Sequence, residues 1–279
     1  MRSVKSLLAA GAASLISSMA FAADMPIAAP PPMYAPPAPP ADFGGWYLRG
    51  DVGMTNQRMS KIDSAVAQAA NPPVSQIGLG FDSSPLFGIG AGYQFNSWFR
   101  ADVTAQYRGK ANLHGSNGQI FSPTVFQSDN YFGSKSEALF LANAYVDLGT
   151  WWCVTPFVGL GVGTSYNYLS GFRDENVQIN NGVTKGSVAT FANNGTWNFA
   201  WAAHAGLAYK VNPSLTLELA YSYVDLGSAK AGNYTLMDGT TGASTIALKN
   251  ITSNDLKLGL RWNLNSPPVY APPPLVTKG

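Results

Sequence analysis

The chain has 279 residues, 46% of them hydrophobic and only 11% charged, with a formal net charge of +2 and a mean hydropathy near zero. A charged fraction well under the ~25% of ordinary soluble domains, made up by Gly, Ser, Thr, Asn, Gln and aromatic residues rather than aliphatic blocks, suits strands with an apolar face better than membrane helices. So small a net charge gives no reason to expect a nucleic-acid partner, and a lone Cys153 excludes an internal disulfide.

The opening MRSVKSLLAAGAASLISSMAFAAD carries basic Arg2 and Lys5, an apolar run from Leu7 and an Ala20-Phe21-Ala22 cleavage pattern. This predicts a secretory signal peptide over 1–22, cut between Ala22 and Ala23. Its apolar run is shorter than the ~20 residues of a spanning helix, and no later stretch is continuously apolar over such a length, so the exported chain is expected to hold no membrane helix. Residues 23–43 and 265–279 are proline-rich and read as polyproline II spacers, a linker and a tail. YAPP occurs in both, at Tyr34 to Pro37 and Tyr270 to Pro273. Low-complexity drift explains that match, and so does a shared partner such as peptidoglycan.

Between the tails, over 44–264, apolar and polar residues alternate with the period of two that belongs to strands. In WYLRGDVGM, Trp46, Leu48, Val52 and Met54 oppose Tyr47, Arg49 and Asp51. FGIGAGYQF and FRADVTAQY, separated only by Asn96-Ser97-Trp98, form a predicted hairpin. Phe87, Ile89, Ala91, Tyr93 and Phe95, then Phe99, Ala101, Val103, Ala105 and Tyr107, share its apolar face; Gly88, Gly90, Gly92 and Gln94, then Arg100, Asp102, Thr104, Gln106 and Arg108, take the other. EALFLANAYVDL sets Phe140, Ala142, Ala144, Val146 and Leu148 against Glu137, Asn143, Tyr145 and Asp147, and PFVGLGVGTSYN sets Val158, Leu160, Val162 and Tyr166 against three glycines and Ser165. WNFAWAAHAGLAY opposes Trp197, Phe199, Trp201, Leu207 and Tyr209 to Asn198 and His204; LTLELAYSYV opposes its leucines, Tyr221 and Tyr223 to Thr216, Glu218 and Ser222. In NDLKLGLRWNL, Leu256, Leu258, Leu260, Trp262 and Leu264 oppose Asp255, Lys257, Gly259, Arg261 and Asn263. AYVDLG at 144–149 and SYVDLG at 222–227 look like a repeat, but their tyrosines fall on opposite faces, so the match is coincidental.

A soluble sandwich buries such an apolar face and a transmembrane barrel turns it to lipid. Glycine runs on the polar face fit a narrow barrel interior better than a water-facing sheet. Connections also alternate, short after the second, fourth and sixth strands, and long over 55–86, 109–136, 167–196 and 227–253, as in outer-membrane barrels. Candidate aromatic girdles follow: Trp46, Phe95, Phe99, Trp151, Trp152, Tyr209 and Trp262 at the short-turn end, and Tyr107, Tyr166, Trp197, Tyr221 and Tyr223 towards the loops. The fold class expected is all-β, a transmembrane up-and-down antiparallel β-barrel of eight strands.

GGWYLRGDVG, PFVGLGVG and LKLGLRWNL together resemble the small outer-membrane β-barrel family that includes the transmembrane domain of outer membrane protein A and the porin-like major surface antigens of alphaproteobacteria. The resemblance covers about residues 44 to 264. It implies residence in the cell outer membrane with both termini periplasmic, contact with outer-membrane lipid and lipopolysaccharide, and insertion by the barrel-assembly machinery. Lys257, Gly259, Trp262 and Leu264 resemble that family's assembly signal, although a proline-rich tail follows here instead of a terminal aromatic residue.

Arg49, Arg100, Asp147, Glu218 and Arg261 are expected at similar depth inside the barrel, with Asp51, Asp102 and Lys257 above them. Charges enclosed there must pair, so a lumen-filling salt-bridge network is predicted; the alternative is a gate whose pairs exchange to pass ions. His114, expected on a loop, and His204, facing the lumen, belong to no catalytic or metal-binding motif, and neither enzyme activity nor a cofactor is expected. Cys153 reads as a small buried turn residue. The long connections read as polar exposed loops, open to adhesion, phage binding or immune recognition. The function expected is structural, in envelope integrity, with a surface-exposed role. A small porin or ion channel is the alternative, and a soluble periplasmic β-protein the third.

Overall fold

A computed structural model describes residues 44–70 and 72–264; the signal peptide, the linker and the tail lie outside the described residues. In chain order the elements are β1 (Gly45–Arg58), β2 (Lys61–Asp63), α1 (Ala65–Ala69), β3 (Ser75–Phe81), β4 (Ser84–Gln94), β5 (Phe99–Ser122), β6 (Val125–Asp147) and β7 (Val154–Asn180). There follow β8 (Val183–Phe191), β9 (Asn194–Lys210), β10 (Leu215–Lys230), β11 (Tyr234–Leu236), β12 (Thr241–Gly242) and β13 (Ala247–Asn263). Eight of these strands close a ring in the order β1-β4-β5-β6-β7-β9-β10-β13 and back to β1, every neighbour antiparallel. Chain order and ring order coincide, so this is the eight-stranded up-and-down barrel that the alternation predicts. Closure pairs both sides of each ring strand, which a hydrocarbon solvent requires because it offers no hydrogen bonds to an open edge.

The sheet is apolar outside and ionic inside. Leu48, Val52, Ile89, Val103, Leu160, Phe199 and Leu258 are exposed, whereas Arg49, Asp102, Glu218 and Asp255 are buried. Water would favour the reverse. Three tight turns, 95–98, 148–153 and 211–214, gather at one end, where the Leu264 N–H also donates to the Trp46 carbonyl at 2.9 Å.

One of those turns corrects the expectation of a buried Cys153. Trp151 and Val154 exchange two backbone hydrogen bonds of 2.8 and 2.9 Å around Trp152 and Cys153, whose φ angles are 48° and 69°. Both central residues are left-handed, as a two-residue type I′ hairpin demands. So short a loop projects its side chains away from the sheet, and the thiol is exposed.

A second correction concerns the long connections, which are largely β-structure. β5, β6 and β7 run for 24, 23 and 27 residues, far beyond the ~9–11 that cross a bilayer. Their continuation has its own core. Leu113, Tyr131, Leu169 and Phe172 turn inward and bury against Met59, Ile62, Phe81, Leu248 and Ile251, so the hairpins beyond the closed ring do not stand as bare loops. β2 adds to β13 and β3 to β5. Between β2 and β3 the Gln76 amide acts as a strand, accepting from the Ile62 N–H at 3.2 Å and donating to the Ile62 carbonyl. On the other side β8 branches from β7 and carries β11 and then β12. His114 belongs to β5 rather than to a loop, and its imidazole lies exposed 3.7 Å from Asp82.

Candidate functional site in the barrel interior

Six cations (Arg49, Arg100, Arg108, Lys135, Lys257, Arg261) and six anions (Asp51, Asp102, Glu137, Asp147, Glu218, Asp255) are the buried charged side chains among the described residues. Equal numbers matter, because any excess charge would sit in low dielectric without a partner.

The layer nearer the short turns centres on Arg49 and Glu218. Arg49 grips Asp51 with a fork, Nη2 to Oδ1 at 2.9 Å and Nε to Oδ2 at 3.2 Å, and its Nη1 donates to Asp102 at 2.9 Å and to the Tyr145 hydroxyl at 3.1 Å. Asp102 stands on β5, two strands from β1, with β4 between. The glycines of β4 make that reach possible: a Cβ on Gly90 would meet Thr104 at 2.8 Å and Arg49 at 3.0 Å. Likewise Gly92 lies under the Tyr47 ring and Gly159 under the Tyr145 ring, so glycine on one strand makes room for a large side chain on the next. Tyr47 donates its hydroxyl to Asp102 at 3.1 Å.

Arg49 and Arg261 are direct cross-strand partners, an arrangement of like charges that is destabilising unless something separates them. Glu218 does so, placing Oε2 3.4 Å from Arg49 and Oε1 3.3 Å from Arg261 and 3.4 Å from Arg100. Arg100 also donates to Asp147 at 3.2 Å, and its guanidinium lies 4.3 Å from the Tyr145 ring centre and 4.7 Å from that of Phe157. Lys257 is buried in the field of Asp51 and Asp255. Of the eight charges expected here, Arg49, Asp51, Asp102, Arg100, Asp147, Glu218 and Arg261 are joined by ion pairs.

Above this layer runs a neutral chain of hydrogen bonds. Asn143 donates to Asp102 at 2.8 Å, so its Oδ1 is free to accept from His204 Nε2 at 3.1 Å, and His204 Nδ1 then accepts from the Ser222 hydroxyl at 2.7 Å. Donor and acceptor roles fit one imidazole tautomer. A second ionic layer follows, which sequence reasoning does not assemble. Arg108 reaches Asp255 at 2.5 Å and Glu137 at 3.5 Å, Lys135 pairs with Glu137, and Gln57 donates to Glu137 at 2.6 Å.

The filling is therefore not restricted to charged and small residues. Leu139, Leu141, Val224 and Leu226 also point inward and join the apolar cluster of the extended hairpins. These side chains are buried, and leucines that bury each other there stabilise the top of the barrel without needing a counter-charge. At the opposite end a vestibule of about 220 Å³ opens among Gln94, Asp147, Lys210, Thr216 and Arg261 and stops at the arginine layer.

Outside, Trp46, Phe95, Trp151, Trp152, Tyr209 and Trp262 are exposed, with Phe99 half-buried, around the short-turn end. Tyr107, Trp197 and Tyr221 are exposed and Tyr166 and Tyr223 half-buried nearer the extended hairpins. On β13, Lys257 and Gly259 are buried on the inner face and Trp262 is exposed on the outer one, as is Leu264 just beyond the strand.

Residues 8–263 match the family model described as outer membrane protein beta-barrel domain. A putative adhesin of Rickettsia bellii (strain RML369-C) is 28% identical over 235 residues, covering 80% of this chain and 91% of the adhesin. The outer membrane protein PagN of Salmonella typhimurium is 24% identical over 189 residues, covering 63% of this chain and 71% of PagN. Among solved structures, the outer membrane protein OprG from Pseudomonas aeruginosa aligns with a TM-score of 0.42 at 17% identity, covering 78% of this chain and 96% of OprG.

Proposed function

The chain belongs to the outer membrane protein beta-barrel family, and from that premise we propose that it is a closed-lumen anchor, holding a rigid β-structure on the cell surface and contributing to envelope integrity. The observation that carries this reading is the interior itself. Two charge-balanced ionic layers, a neutral hydrogen-bonded layer and an apolar cluster succeed one another along the lumen and leave a shallow vestibule at one end. Side chains paired in this way stabilise a wall-to-wall filling, whereas an aqueous channel needs a wider ring of strands. The aromatic belts then act as anchors at the two membrane interfaces, in contact with lipid and lipopolysaccharide. Lys257, Gly259, Trp262 and Leu264 serve the barrel-assembly machinery, the termini are periplasmic, and peptidoglycan is a partner of the proline-rich tails. A surface role agrees with the description of the Rickettsia bellii relative as a putative adhesin.

A deletion strain assayed together for detergent sensitivity, attachment to host-cell monolayers and uptake of small solutes tests the proposal. Greater detergent sensitivity and weaker attachment with unchanged uptake are expected. Reduced uptake with attachment intact would make the protein a pore instead.

A further inference from the structure

Beyond the barrel, the β5–β6 and β7–β8 hairpins end side by side. The Asn181 N–H donates to the Thr124 carbonyl at 3.0 Å, and the Thr124 hydroxyl donates to the Asn181 side-chain oxygen at 2.9 Å, which ties the two turns into one tip. Asn181 and Gly182 have φ of 48° and 82°, a two-residue type I′ loop. The turns themselves are polar, Ser122-Pro123-Thr124 and Asn181-Gly182, but the strand ends that carry them expose large apolar side chains. Ile120 is 73% exposed, Val183 59%, Phe121 46% and Phe126 41%.

Two features of the tip decide what it fits. Apolar side chains occupy both faces: Ile120, Phe126 and Ile179 form one cross-strand row, while Val125 and Val183 belong to the next row and so point the other way. A protein partner docking on a sheet covers one face, but a wedge that is apolar on both sides is satisfied only by a medium that surrounds it. The charge pattern agrees. Across 118–128 and 177–187 the single charged residue is Lys185; the nearest carboxylates, Asp129, Glu175 and Asp174, lie three or more strand positions behind the paired Phe126 and Ile179, away from the surface the tip would meet. Height is sufficient as well, since Phe121 lies fourteen residues beyond the girdle residue Tyr107, about 45 Å of strand and about 35 Å of rise at a ~40° tilt.

We propose that the paired hairpin tip inserts into the interfacial region of a phospholipid bilayer facing the cell, with Phe121, Phe126 and Ile120 as the inserting side chains and Lys185 near the headgroup phosphates. The inference rests on the reading that this end of the barrel faces outward.

The test uses the full mature chain in nanodiscs, mixed with protein-free vesicles of phosphatidylcholine with and without phosphatidylserine and, in a third arm, with host-cell membrane vesicles that retain their surface proteins, and followed by co-flotation. Binding to both vesicles is expected, stronger with phosphatidylserine, and a Phe121→Ser/Phe126→Ser/Ile120→Ser variant should bind at least roughly tenfold more weakly. A Phe121→Trp variant should be quenched by brominated lipid placed only in the added vesicles. Absence of flotation with either vesicle, equal flotation of the triple variant, or flotation restricted to vesicles that carry cell-surface proteins would overturn the proposal. Separately, Thr124→Cys in a Cys153→Ser background is expected to react with an impermeant maleimide on intact cells. Failure of that labelling overturns the outward orientation itself, whereas labelling without vesicle binding overturns only the insertion.

Discussion

Replacing Glu218 by Gln removes one negative charge from the point where three arginines converge. In the layer nearer the short turns it leaves Arg49, Arg100, Lys257 and Arg261 facing Asp51, Asp102 and Asp147, an excess of one positive charge among buried groups. Arg49 keeps Asp51 and Asp102, and Arg100 keeps Asp147, but Arg261 loses its one carboxylate partner and keeps the neutral Gln94 amide at 3.3 Å and the Tyr47 ring, 5.4 Å away. Breaking a buried pair from one side costs about 3–5 kcal/mol. Glutamine retains the shape and one acceptor oxygen, so the low end, ~3 kcal/mol, is expected. Because the penalty is an unpaired charge rather than a lost contact, Glu218→Gln/Arg261→Gln should regain at least about half of it. Reversible urea unfolding in lipid vesicles, followed by tryptophan fluorescence, measures both values. A single-variant cost under ~1 kcal/mol, or a double variant no more stable than the single, would refute the idea that Glu218 holds the arginines together.

Leu258 is the outward residue midway between Trp262 and Asn254 on β13; Leu258→Arg should destabilise by about 2–4 kcal/mol, while Val211→Arg, at the short turns, should cost under ~1 kcal/mol, by the same unfolding assay. Equal costs would contradict the assigned depths. Cys153→Gly relieves a left-handed backbone without removing a packed side chain and should stabilise by about 1 kcal/mol. On the extended hairpins, burial and then the nearby Asp129 carboxylate push the Asp174 carboxyl up from its ordinary 3.8 to about 7. Between those values the folded arm holds a proton that the unfolded chain releases, so arm stability should fall as pH rises from about 4 to about 7. Hydrogen exchange of β6 and β7 amides, corrected for intrinsic rates, should show that slope in the native chain and lose it in Asp174→Asn; a slope of opposite sign would count against the assignment.

The barrel is legible because a strand's period is two and nothing else in the chain imitates it over eight segments. Where the period breaks, so does legibility. A register shift between Arg108 and Ala111 moves the inward face of β5 from even to odd positions, and another, opposite Phe132 and Ser134, puts an extra residue on β7 between Ser170 and Arg173. Read without those bulges, the β5 continuation and the β7 continuation fall out of phase with their strands and pass for loop, although their Leu113 and Phe172 are core residues. Asn181-Gly182 was the signal available in 167–196, being the dipeptide that a type I′ hairpin demands. Inside the lumen, alternation identifies which side chains point inward but not whom they meet. The reach of Arg49 to Asp102 across β4 depends on register, tilt and the absence of a Cβ on Gly90, none of which one strand reveals. The second ionic layer was hidden for the same reason, since Lys135 falls in the misread segment and Asp255 at the margin of the last strand.

The proposed closed lumen, packed from the arginine layer to the apolar cluster, should leave no path for ions. Recording from the full mature protein in a planar bilayer examines this without intermediaries. The current should stay at the level of the bare membrane, and steady openings in the nanosiemens range would contradict the account.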